Sequence, residues 1–272
     1  MGVKPIGYPL RTMDHRAHVY SPLQNVAVWL AAWLHGQVSS DECLDALMAL
    51  GGRVHLAGTH PEAPDAGIDV LKAVRRIGED ALASDEPSIQ LVLTGPGEAL
   101  GLRAGSESAR AAIESGVGAL VFPGTDRFQH HILVPRNTGA GSWEFTVFAE
   151  NQLLPAPAYL SPGEADLLLT EATREAARLI ELNGAAPADL PNPRLTVGML
   201  SDFYDTPGLP FCTPPRAAKL FARADRVAAI IETVSTHVGD RALDPLLLPL
   251  MRHVRAARVA GVSHAVLELS RA

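Results

Sequence analysis

Cys212 is the residue whose context comes closest to that of a catalytic nucleophile. It precedes a Thr213-Pro214 pair that reads as a helix start. Unpaired N–H groups at a helix N-terminus favour a thiolate, and Arg216 adds to that positive field. Asp202, Tyr204 and Asp205 fall in the same Pro/Gly-rich stretch, which reads as a loop. A general base would have to come from His237, His253 or His264, and only tertiary folding could bring one near. A cysteine beside Phe211 is equally compatible with simple packing. A small-ligand site or thiol-dependent enzyme centred on Cys212 is therefore one functional reading, and the sequence leaves open whether the chain is an enzyme at all.

Charge placement supports another. Residues 211–272 carry nine Lys/Arg against five Asp/Glu, a balance of +4, whereas the preceding 210 residues carry 14 against 25, or −11. Arg216, Lys219, Arg223 and Arg226 recur at steps of three, four and three, which places them within an arc of about 80° on a helix. Arg252, Arg255 and Arg258 form a looser stripe further on. Such a face could dock an acidic protein, an anionic metabolite or a phosphate backbone. The favoured reading of the stripe itself is that part of it pairs inside the fold with Glu164, Asp166, Glu171, Glu175 and Glu181, which lie on one preceding segment. A net charge of −7 without aromatic residues among the basic ones argues against nucleic acid. The leading reading is a non-catalytic interaction, regulatory or assembly protein, which presents this face or the Trp29/Trp33 helix to an acidic partner or to its own copy.

Metal and cofactor chemistry find little footing. His130 and His131 are adjacent on an expected strand and point to opposite faces, and His15 and His18 come without a paired acidic ligand. Cys43 and Cys212 belong to no C-x-x-C pair. Gly95, Gly97 and Gly101 have the wrong spacing for a phosphate loop, with Pro96 among them, and read as a β-turn. No metal and no cofactor are expected.

The elements that must position these residues are marked by polar–proline pairs. Ser21-Pro22, Ser161-Pro162, Thr213-Pro214 and Asp244-Pro245 each open an apolar, helix-periodic run, with Gln24 and Glu164 at capping-box spacing from Ser21 and Ser161. Val26 to Leu34 is apolar on nearly every face, as for a helix buried in a core or an interface. Ser39 to Glu42 repeats the box before a second helix that stops at Gly51-Gly52, and Ile68 to Leu82 has helical periodicity. Segments 89–93, 99–103, 117–122, 128–134 and 143–148 read as strands, with a short helix from Ser106 to Ser115 whose crossover could make one pair parallel. About five strands with tight turns predict an α+β fold: N-terminal helices, a largely antiparallel sheet, then a helical C-terminal half packed on it. Leu153 to Tyr159 reads as a hinge and Asn183 to Pro193 as a second break, so the expected division is an α+β part over 1–155 and a helical part over 156–272, alternatively one continuous domain. The first ten residues lack a signal-peptide core and no apolar run approaches a membrane span, so a cytoplasmic, membrane-free setting is expected.

Four segments carry a family resemblance: Thr94-Gly95-Pro96-Gly97 leading to Gly101-Leu102, the run Ala109 to Gly116, Pro214-Pro215-Arg216-Ala217-Ala218, and Arg255-Ala256-Ala257-Arg258. Over about residues 88 to 260 the chain resembles a family of uncharacterised proteins from high-GC actinobacteria. The resemblance implies no activity and carries no site residue over.

Overall fold

The structure, a computed structural model, describes residues 22–84, 86–95, 101–139, 141–156, 159–182, 193–204, 208–238 and 244–272. Expectations for Ser21, for His15 and His18, for Pro96 to Leu100, for the 183–192 break and for Asp205 lie outside the described residues. Helix α1 (Pro22–Leu34) opens on its proline and is buried along almost its whole circumference, with only Pro22 and Trp29 half-buried. The Gln24 side chain points into the protein. Helix α2 (Ser40–Gly51) has the expected capping box, the Glu42 N–H donating to Ser39 Oγ at 3.2 Å and the Ser39 N–H donating to Glu42 Oε2 at 2.9 Å. It stops at Gly52, where φ is +82° and a Cβ would collide with the Gly141 carbonyl, so no other residue fits.

Five strands form one mixed, mostly antiparallel sheet: β1 (Arg53–Leu56), β2 (Gln90–Leu93), β3 (Gly118–Pro123), β4 (His130–Asn137) and β5 (Ser142–Glu150), in the order β1-β5-β4-β3-β2. Helix α3 (Ala66–Leu82) lies between β1 and β2, and α4 (Glu107–Ser115) between β2 and β3. Two details differ from the sequence reading. Residues 101–103 form bends, and the strand not foreseen is β1, which pairs in parallel with β5. Four residues, Arg-Val-His-Leu, are too few to display a period, so β1 is set by what it lies against. The connection through α4 is also no crossover. It leaves Leu93 and returns to Gly118, which is its cross-strand partner, so β2 and β3 are antiparallel.

Alternation along the strands builds two cores. Leu91, Leu93, Leu120, Phe122, Leu133, Trp143 and Phe145 face one side and pack with α1, α3 and the last turns of the chain's final helix. Val92, Ala119, Val121, Ile132 and Val134 face the other and meet Ala109 and Ala112 of α4. The side chains thus sort with the period of two that a sheet covered on both faces requires.

The helical half comprises α5 (Pro162–Leu182), α6 (Pro193–Tyr204), α7 (Pro215–Val238) and α8 (Asp244–Leu269). The Ser161 box is present, with the Glu164 N–H on Ser161 Oγ at 3.2 Å and the Ser161 N–H on Glu164 Oε2 at 2.9 Å. The start of α7 is one residue later than expected. The Thr213 hydroxyl donates to the Pro210 carbonyl at 2.7 Å, and Pro215 takes the first helical position. Helix α8 belongs to both halves. Its Leu247, Leu250, Met251, Val254, Ala257 and Ala260 pack in the helical core with α5 and α7, whereas Val262, Ala265, Val266 and Leu269 pack in the sheet core beside α1. At Gly261 a Cβ would strike the buried Phe221 ring of α7, so the absence of a side chain sets the approach of these two helices.

Candidate functional site

Helix α7 is the floor of a groove whose walls are α5 and α6. The groove encloses about 790 Å³, with Lys219, Arg223, Arg226 and Ile230 on the floor, Thr170, Thr173 and Arg174 on one wall and Ser201 and Asp202 on the other. Three of the four stripe residues picked out by spacing therefore lie together on this floor, and all four, with Arg216, are solvent-exposed. Arg223 is held internally: its Nε lies 2.8 Å from Asp166 Oδ1 and its Nη1 donates to Thr170 Oγ1 at 2.7 Å. The acidic helix was thus correctly recognised as one source of partners. Of its other acids, Glu164 engages in its own cap and Glu175 pairs with Arg178, which holds that carboxyl below the usual range. Arg216, Lys219, Arg226 and Arg174 make no ion pair among the described residues.

The helices that wall the groove carry exposed apolar side chains. Leu167 is 56% exposed, Leu195 63% and Met199 65%. Leu167, Thr170 and Arg174 fall at helical spacing on α5, and Leu195, Met199 and Asp202 do so on α6, so on each helix the exposed apolar residues share a face with residues that line the groove. Thr170 and Arg174 were not singled out from the sequence. Their spacing from Leu167 was visible there, but an exposed leucine cannot be told from a buried one by period alone.

Of the second arginine stripe, Arg252 is exposed but the other two residues are enclosed. Arg255 and Arg258 are 3% and 2% exposed. Arg258 Nη1 lies 2.7 Å from Asp225 Oδ1 on α7 and donates to Gln24 Oε1 on α1 at 2.6 Å, while Gln24 Nε2 donates to Asn25 Oδ1 at 2.8 Å. This enclosed polar network ties α1, α7 and α8 together. A periodic pattern shows which residues share a helix face, but not that the face is covered.

Around Cys212 the electrostatics run against the expected activation. The thiol is half-buried, and desolvation pushes it up from its ordinary value. No hydrogen bond joins it to a histidine among the described residues. Asp202 and Tyr204, read as loop residues, are on α6. The buried Cys43 thiol is pushed up to about 12 by burial. Trp33 is a core residue and Trp29 packs half-buried against the same core: Trp29 Nε1 donates to the Gly208 carbonyl at 3.0 Å, and Trp33 Nε1 donates to Ser40 Oγ at 3.0 Å beneath the Arg75 guanidinium. Among the described residues no three of His, Cys, Asp and Glu are grouped to hold a metal ion, and no helix is long and apolar enough to cross a membrane.

A five-stranded sheet covered by helices and continued by a four-helix half defines an α+β protein with a basic interhelical groove. The chain belongs to the Rv1486c-like protein family: residues 24–159 match its N-terminal domain and residues 163–259 its C-terminal domain. It is 28% identical to the uncharacterised protein MT1533 of Mycobacterium tuberculosis strain CDC 1551, over 90% of this chain and 97% of the relative. The uncharacterised protein ML1804 of Mycobacterium leprae is likewise 28% identical, with the same coverage of each chain. These relatives are mycobacterial, as the actinobacterial resemblance implies, and their names carry no activity. No solved structure matches the chain.

Proposed function

We propose that this is a cytoplasmic, non-catalytic interaction protein whose groove over α7 receives an acidic, amphipathic segment of a partner protein. One observation carries the reading: Lys219 and Arg226 lie without ion pairs among the described residues on the floor of a groove whose wall helices expose Leu167, Leu195 and Met199. Cationic floor and exposed apolar residues on the wall helices together match a helix with acidic residues on one side and apolar residues on the next. A thiol-dependent function at Cys212 draws no support from its raised thiol. The divided organisation, an α+β part over 1–155 and a helical part over 156–272, belongs to the same proposal, with α8 joining the parts into one cooperative unit.

A photo-crosslinking residue placed at Met199 in the full chain tests it. The expected result is a discrete adduct with another protein, which is lost when Lys219→Glu and Arg226→Glu are combined. An adduct with a second copy of the chain would assign the groove to homo-oligomerisation. No adduct, or one indifferent to the charge reversal, would overturn the proposal.

A further inference from the structure

A cavity of about 610 Å³ lies along the free edge of the sheet and shares no lining residue with the groove. Strand β2 is last in the sheet order, and its consecutive residues Gln90, Leu91, Val92 and Leu93 all border this space. Successive strand side chains point to opposite faces, so a cavity touched by all four lies at the strand's edge and not over one face. Leu153, Leu154 and Pro155, on the segment leaving β5, and Val259 of α8 form its other walls. Four strand residues extend about 13 Å, and apolar side chains dominate that length.

Its few polar groups are Arg127, His130, Arg255, Gln90 and Glu86. Arg127, in the turn between β3 and β4, borders the cavity, is exposed and makes no ion pair among the described residues. His130, the first residue of β4, borders it while only 8% exposed. Neither of its ring nitrogens has a hydrogen-bond partner among the described residues; Nδ1 is sealed from solvent, which leaves Nε2 as the nitrogen a ligand could reach. A largely buried imidazole nitrogen without a partner in the protein is a group that a ligand can satisfy. The nearby acids are already engaged. Glu86 accepts from Gln90 Nε2 at 2.8 Å. Glu150, opposite His130 across the β4–β5 ladder, accepts from Ser108 Oγ at 2.8 Å and lies 3.7 Å from Arg103 Nε. Further along, the buried Arg255 guanidinium rests so closely on Gly95 that a Cβ there would collide with it.

We infer that this cavity binds a small organic acid with a linear apolar body. Its carboxylate pairs with Arg127 and takes a hydrogen bond from the His130 imidazole, while its chain lies along the edge of β2 between Leu93, Leu154 and Val259. The size is that of small-molecule sites, which combine apolar walls with a few polar groups that orient the ligand. The site is independent of the groove on α7.

Displacement of the fluorescent sulfonate 1-anilinonaphthalene-8-sulfonate from the full-length protein by sodium decanoate, and by decanol as its neutral counterpart, tests the inference. The expected result is saturable one-site displacement, with decanoate at least about tenfold more effective than decanol, as a charge-assisted head-group contact implies. Arg127→Gln, a change at an exposed turn, should remove most of that preference. Ala256→Phe, which fills the cavity from a half-buried position on α8, should abolish displacement. Equal displacement by decanoate and decanol, or displacement unchanged in Arg127→Gln, would overturn the inference even if Ala256→Phe fails to fold.

Discussion

The arginines of the C-terminal half show how differently one residue type can be used. Arg226 lines an open groove, Arg223 is shared with a neighbouring helix, and Arg258 is enclosed with Asp225 and Gln24. Removing one partner of an enclosed pair leaves the other charge uncompensated, so Asp225→Asn or Arg258→Met should each lower stability by about 3–5 kcal/mol. The combined Asp225→Leu/Arg258→Met variant should recover much of that loss, read from denaturant midpoints, because it leaves no orphaned charge. His35 offers a separate test. Its Nε2 lies 3.0 Å from Ser88 Oγ, and burial holds the imidazole below its usual value. The unfolded chain then binds the proton more readily than the folded one, so this contribution to stability is present above the unfolded value of about pH 6.5. It is lost as pH falls from there towards the lowered folded value. A His35→Gln variant should therefore lose less stability than the parent between pH 7 and pH 5.5, as followed by urea unfolding.

At the scale of elements, the helix starts separate local from tertiary causes. Ser39 and Ser161 cap their helices through contacts with residues three positions on, and both are present as the spacing requires. Thr213-Pro214 has the same form, yet the threonine hydroxyl turns back to Pro210 and the helix starts at Pro215. Two prolines in succession offer two possible first positions, and a spacing rule cannot choose between them. Ser161→Ala should accordingly lower the denaturation free energy by about 1 kcal/mol, the ordinary cost of a lost cap. Thr213→Ala should leave the helicity of α7 unchanged by circular dichroism, because the lost bond lies outside the helix.

The whole molecule is held together by α8. About 39 Å long at the helical rise of 1.5 Å per residue, it places its first half in the helical core and its last turns in the sheet core. A fragment ending at residue 155 lacks Val262, Ala265, Val266 and Leu269, and so leaves part of α1 and of the sheet face uncovered. Such a fragment should bind hydrophobic dyes and show no cooperative melt. The full chain should unfold in one transition seen alike by tryptophan fluorescence and far-ultraviolet circular dichroism. Two separate transitions would show that the halves are independent.

What the sequence determined by itself is what local chemistry controls. Caps, prolines and glycines placed the helices, and alternating apolar residues placed four of the five strands, because these signals act over a few neighbouring residues. The basic stripe on α7 was legible for the same reason, since positions on one helix follow from its pitch. Tertiary structure decided the rest. It recruited β1, whose four residues carry no period, through pairing with the distant β5. It decided that Arg255 and Arg258, whose stripe the sequence left as either paired or exposed, are enclosed, by laying α1 and β2 against α8. Among the described residues it brought no histidine into hydrogen-bond contact with Cys212, and it formed a cavity at the edge of β2 from residues of a strand, a turn, the segment after β5 and a helix. Burial and enclosure depend on which segments meet, and that is a property of long-range packing, which no short window of residues contains.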